Sequence, residues 1–150
     1  MDLSRSSGIL LHPTSLPSPF GIGDIGLAAY RFVDLLAETG QSWWQILSIG
    51  PSWYENSPYM CLSGLGGNPM FISPELLVAD GLLDPADIAA PPVFPEEQVY
   101  FGPVIEHKMP LLERSYRNFR DSGHLPMRWS FSPFMKKRLS GSKTTYCFAP

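Results

Sequence analysis

The chain has 150 residues, a net charge of −3 and 44% hydrophobic residues. That length fits one ordinary domain, and that hydrophobic share excludes a disordered polar chain. The absence of a long basic run argues against a nucleic-acid footprint, and no stretch approaches the roughly 20 apolar residues of a membrane span.

Other features narrow the class. Sixteen Pro and thirteen Gly force much of the chain into loops. The two Cys, Cys61 and Cys147, are far apart and lack metal-ligand spacing, so they read as cytosolic thiols rather than a disulfide. The opening residues, Met1 to Leu10, hold no apolar stretch long enough for a signal sequence. The expected location is the cytoplasm.

In chain order, Gly8-Ile9-Leu10-Leu11 is a short apolar run that suits a fully buried strand of a parallel sheet. The proline-rich segment from His12 to Pro19 follows and is expected to hold no regular structure. A second loop holds Gly21-Ile22-Gly23-Asp24-Ile25-Gly26. A helix then spans about 27–39, with Ala29, Phe32, Val33 and Leu36 at helical spacing and Gly40 as its stop. Ser42 to Ile49 reads as a second buried strand. Strand, loop, helix and strand make one βαβ unit with parallel pairing and a right-handed crossover.

Downstream, Ser73-Pro74-Glu75 reads as an N-cap with Pro at the first helical position, and this short helix ends near Asp80-Gly81. Asp84 to Asp87 starts another brief turn, which Ala90-Pro91-Pro92 ends. A longer helix is expected over 104–119, with Ile105, Leu111, Leu112, Tyr116 and Phe119 on one face. Pro110 implies a kink or break in it. The tail from Phe131 to Pro150 shows no period.

Several motifs carry a functional and a bland reading. The glycines at 21, 23 and 26 match a dinucleotide fingerprint by letters, but the prolines before them spoil the tight strand-to-helix turn it needs. The bland reading is a Gly-rich turn, with Asp24 near the favourable end of a helix dipole. Gly141-Ser142-Lys143-Thr144 lacks the earlier Gly of a phosphate loop. His12 is a base or a structural side chain. His107 and His124 show no metal pairing, and Glu96 and Glu97 read as an exposed pair.

The stretch from Gln41 to Pro74 is the densest in information. It carries three Trp, two Tyr and one Phe without a single hydrophobic period. Flat aromatic faces beside polar groups suit a sugar ring, which has an apolar C–H face and a hydroxyl rim. Tyr54, Ser57 and Tyr59 lie just beyond the second strand, where an α/β barrel builds its active site. They are packed loop residues or, together with Trp53 and Asn68, part of a ligand surface.

These residues resemble the 4-α-glucanotransferase (amylomaltase or disproportionating enzyme) family. The resemblance rests on Arg5 to Pro17, on Gly21 to Gly26 and on Trp44-Gln45-Ile46-Leu47. It continues through Gly50-Pro51, Ser57-Pro58-Tyr59, Ser63, Gly67-Asn68-Pro69 and Asp80 to Leu83, and includes Tyr100-Phe101-Gly102 with Val104. The implied fold is α/β, the N-terminal portion of an elaborated (β/α)₈ barrel, incomplete because a full barrel takes about 250 residues.

The implied reaction is retaining transfer of α-1,4-glucan segments between malto-oligosaccharides, through a covalent glucosyl-enzyme. It uses an Asp nucleophile and a Glu acid/base about 5–5.5 Å apart. Nothing in this chain matches the motifs that carry them, so the chain alone is expected to be inactive.

What the resemblance carries over is substrate contact. Tyr59 corresponds to a Tyr that stacks under the sugar, Ser57 to a neighbouring polar contact, and Tyr54 to a position that helps hold a second glucan strand. Gln45 and Asn68 fall in the shell that supports the loop. No cofactor or metal is expected. The expected partners are an α-1,4-glucan or malto-oligosaccharide and the remaining barrel portion, with no nucleic acid and no membrane. Other readings are a non-catalytic glucan-binding fragment and an inert truncated product.

Departures from the family pattern are Ser48-Ile49 for Pro-Leu, Ser52-Trp53 for Thr-Gly, Met60 for Gln and Gly64-Leu65-Gly66 for Ala-Phe-Ala. Losing the Gln removes a possible sugar hydroxyl partner. Where the family has Trp-Leu-x-Asp-Tyr, the chain has Ser140 to Thr145, which fits a reading-frame shift near Lys137. Domain organisation is therefore read as residues 1–130, the first βα units with an inserted helical segment, and residues 131–150, a divergent tail.

Overall fold

A computed structural model describes residues 5–51, 57–61 and 66–121. Trp53, Tyr54, Ser63, His124, Cys147, the Gly141–Thr144 segment and the tail from residue 131 lie outside the described residues.

The expected βαβ unit is present. Strand β1 (Gly8–Leu10), helix α1 (Leu27–Glu38) and strand β2 (Trp43–Gln45) follow one another, and the strands pair in parallel with Ile9 opposite Trp44. Bonds from Ser42 N–H to the Ser7 carbonyl (2.9 Å) and from Leu11 N–H to the Gln45 carbonyl (3.1 Å) extend the ladder at both ends. Gly40 has a φ of +71°, which lets the chain turn back from α1 into β2.

Two strand expectations need correction. β2 covers only Trp43–Gln45, not Ser42 to Ile49. Neither strand is buried: every β1 residue is exposed, and of β2 only Trp44 is half-buried. Among the described residues the sheet has two strands, and α1 packs against β2. Apolar side chains bred for a two-sided parallel sheet therefore face solvent.

Contrary to expectation, Pro13–Ser15 forms one short helical turn, because a Pro at the first position needs no helical N–H partner. Beyond β2, a 3-10 turn (Pro69–Phe71) leads into α2 (Pro74–Ala79), α3 (Pro85–Ile88) and α4 (Phe101–Asp121). The Ser73 cap is as expected, its side chain accepting from Leu76 N–H, with Pro74 opening the helix. Asp84 and Asp87 close a capping box at α3. Helix α4 starts three residues earlier than expected, and Pro110 does not break it. Pro103 falls in the first turn, where an N–H has no helical partner anyway. Pro110 is exposed, so water can reach the Glu106 carbonyl that loses its donor.

The inward face of α4 also differs. Val104, Lys108, Leu111, Leu112 and Ser115 are buried, while Ile105 and Tyr116 are exposed. The spacing of four, three, one and three residues is helical, but the stripe includes a lysine and a serine that an apolar count passes over. The core gathers Ile22, Met70, Val104 and Leu112, with Leu77, Phe94, Val99, Phe101 and Met109 around them. It therefore sits between the glycine loop, the 3-10 turn and α4, and not on the sheet.

Candidate functional site

The strands run in parallel, so their C-terminal ends open on the same side. His12 follows β1 there, and the segment carrying Ser57, Pro58 and Tyr59 follows β2. Ser57 and Tyr59 share a tight turn in which Met60 N–H donates to the Ser57 carbonyl at 3.0 Å. Pro58 stiffens that turn by fixing its φ. Tyr59 is 80% exposed, far more than a ring placed for packing needs. Ser57 is half-buried beside it in sequence.

Asn68 supports this segment through two bonds. Its N–H donates to the Ile49 carbonyl at 2.9 Å, pinning the chain beyond β2 to the start of the 3-10 turn. Its side-chain oxygen accepts from Met70 N–H at 2.9 Å and caps that turn. Gln45 is exposed at the end of β2, and its carbonyl holds Leu11. Trp44 closes over the same place: its indole N–H donates to the Leu11 carbonyl at 2.7 Å, and its ring meets Phe32 edge-on at 5.0 Å. Gln45, Ser57, Tyr59 and Asn68 thus follow one another on the chain from the end of β2 to the 3-10 turn.

His12 turns inward, half-buried, with its ring edge-on to Phe71 at 5.5 Å. Its Nδ1 has no partner among the described residues, and burial pulls its pKa below the ordinary imidazole value. His107 is similar, stacked on Phe20 at 6.3 Å and tilted against Phe94 at 5.9 Å, with its pKa lowered first by burial and then by Lys108. Both are packed imidazoles that favour the neutral form.

The glycine loop resolves as packing. A Cβ at Gly21 would strike the Phe94 ring. At Gly23 one would stand 2.6 Å from the Leu16 carbonyl oxygen, and at Gly26 one would stand 2.6 Å from Asp24 Oδ1. Each glycine lets another part of the chain close in, so close packing accounts for all three. Asp24 lies next to the Gly26 N-cap of α1, where the sequence expected it, but it makes no capping bond there. It is buried and paired with Lys108 Nζ at 3.4 Å. Burial raises the Asp24 pKa and lowers that of Lys108, and their mutual attraction offsets only part of each shift. Sequence reasoning missed Lys108; its only signal was a charge at the i+4 position from Val104.

A sizeable concavity lies elsewhere. It measures about 1220 Å³ and lies between the loop 14–23, the first turn of α1 and the segment 91–99. None of Gln45, Ser57, Tyr59 or Asn68 lines it. Its aromatic residue, Phe94, is turned inward onto Gly21 and His107, so it offers no open ring face for a sugar. Among the described residues no group of acidic, His or Cys side chains could hold a metal ion, and no helix is long and apolar enough to cross a membrane.

A family model described as 4-alpha-glucanotransferase matches residues 11–148, a span that includes most of the tail after residue 131. The chain is 45% identical over 130 residues to a 4-alpha-glucanotransferase of Synechocystis, covering 87% of this chain and 26% of that one. It is 47% identical over 118 residues to the Aquifex aeolicus 4-alpha-glucanotransferase, covering 77% and 24%. Its fold matches an amylomaltase from Streptococcus agalactiae, solved in complex with acarbose, with a TM-score of 0.82 and 34% identity over 90% of this chain and 27% of that one. The chain therefore spans about a quarter of the length of the relatives it matches. On sequence and on fold alike, it belongs to the 4-alpha-glucanotransferase family.

Proposed function

We propose that this chain supplies one wall of an α-1,4-glucan cleft, with Tyr59 as the platform under a sugar ring. The observation that carries this is the 80% exposure of Tyr59 on a proline-stiffened turn beyond a parallel strand. In barrel enzymes the loops at strand C-termini build the active site. An aromatic face at such a site stacks on the apolar side of a pyranose, while Ser57 offers a hydroxyl to the rim. Acarbose bound to the amylomaltase relative supports an oligosaccharide ligand. Tyr54 is proposed as an outer contact for a second glucan strand. Asn68 and Gln45 hold the wall in place.

The activity that goes with this wall is retaining transfer of glucan segments between malto-oligosaccharides. It needs two carboxyl groups about 5–5.5 Å apart, one attacking the anomeric carbon and one moving a proton. We assign those groups to the part of the family's barrel that lies beyond the quarter matched here. In this reading the chain binds glucan but does not cut it, and the non-catalytic alternative describes the chain when alone. Incubating the purified chain with maltotriose and measuring released glucose tests this. No release is expected; glucose above the blank, lost in a Tyr59→Ala variant, would show that the chain carries its own catalytic pair.

A further inference from the structure

The pair Asp24–Lys108 joins parts of the chain that are 84 residues apart, and it is the only ion pair with both side chains buried among the described residues. Its lysine does more than neutralise a carboxylate. Lys108 Nζ donates to the Met70 carbonyl at 2.7 Å, a shorter contact than the 3.4 Å to Asp24. Met70 is the centre of the 3-10 turn, and that turn is fixed on every side. Asn68 caps its N-terminus, Ile25 N–H donates to the Phe71 carbonyl at 3.0 Å, and the Phe71 ring meets His12. Through Asn68 N–H the turn also holds the Ile49 carbonyl. Ser57 and Tyr59 therefore sit on a segment whose two ends, Ile49 and Asn68, are tied together at a turn that Lys108 grips from α4.

We infer that Lys108 is a positioning residue for the glucan wall, its ammonium on the Met70 carbonyl setting where the turn, and hence the Tyr59 segment, stands. This deepens the reading of Tyr59 as a sugar platform and rests on it for its ligand. Asp24 has a subordinate part. It supplies the charge partner without which a buried ammonium would be too costly. Ammonium donors to a carbonyl are charge-assisted and directional enough to fix one backbone position. Without Lys108 the turn would keep its Asn68 cap and the Ile25 N–H bond to Phe71, but it would lose the bond that ties its centre to α4.

The two parts separate in variants of the full chain. Lys108→Met keeps the stem but removes the donor and leaves Asp24 buried alone. Lys108→Met combined with Asp24→Asn removes the donor without stranding a charge. Amide hydrogen exchange followed by mass spectrometry reads the turn, thermal melting reads the fold, and maltoheptaose titration reads the wall. In Lys108→Met the melting point is expected to fall by at least about 5 °C, since an unpaired buried charge is strongly destabilising. The double variant should recover most of that loss.

Peptides spanning 66–72 should exchange about tenfold faster in both variants, while those from α1 stay as protected as in the parent once global stability is recovered. Maltoheptaose affinity should stay weakened in the double variant. Two results would overturn the inference: unchanged exchange at 66–72 in the double variant, or recovery of both exchange and affinity with the melting point. If the parent chain itself fails to bind maltoheptaose, the sugar reading falls, and the exchange of 66–72 alone decides whether Lys108 sets the turn.

Discussion

Asn68 performs two tasks with one residue, capping the Pro69–Phe71 turn through its side chain and holding the Ile49 carbonyl through its N–H. Replacing it by Ala leaves the backbone bond possible but removes the cap, which typically costs about 1 kcal/mol. Urea unfolding of Asn68→Ala should show a loss of that size; a midpoint unchanged from the parent would mean the cap contributes nothing. The histidines predict a pH dependence. His12 and His107 both have pKa values lowered by burial from 6.5, so below that pH the unfolded chain binds more protons than the folded one. Their contribution to stability is full above about pH 6.5 and is lost as pH falls below it. The melting point should therefore decline from pH 7 to pH 5, and a His12→Phe, His107→Phe variant should show a shallower decline. A parent curve that rises toward pH 5 would contradict the packed-imidazole reading.

At the level of elements, the glycine loop and the strands show what a sequence can and cannot carry. Helix α1 and the Ser73 cap were legible because their signals are local: helical spacing, a stop glycine, and Ser-Pro-Glu at a helix start. The role of Gly21, Gly23 and Gly26 was not, because each is required by a neighbour distant in space. Gly23 is the clearest case. A methyl there meets the carbonyls of Pro13 and Leu16, which are backbone and cannot swing away. Gly23→Ala should destabilise by about 1–3 kcal/mol or more, measured by denaturant unfolding. A nearly neutral effect would mean the loop 13–16 moves freely. Helix α4 failed in part for the same reason. Its inward stripe is completed by Lys108 and Ser115, which are tolerable inside only because Asp24, the Met70 carbonyl and the Leu112 carbonyl wait for them. Pro110 leaves α4 unbroken because water at an exposed helix surface can satisfy the carbonyl it orphans.

For the molecule as a whole, the sheet is its least covered part among the described residues. Ile9, Leu10, Trp43, Ile46 and Ile49 are all at least 40% exposed, although they have the composition of a buried parallel strand pair. Strands so placed offer open edges and an apolar face to other chains. The strand pattern was legible; the burial was not, because burial depends on neighbouring strands that no local signal announces. Ser57-Pro58-Tyr59 beyond a strand was legible as a candidate for a ligand surface, while the bond from Lys108 to the Met70 carbonyl joins residues too far apart in sequence to be read there. The central claim is that Tyr59 is a sugar platform, and maltoheptaose titration of the full chain, followed by the fluorescence of its four Trp, tests it most directly. The account predicts a saturable change that disappears in Tyr59→Ala; a parent chain with no response, or a response that survives Tyr59→Ala, would contradict it.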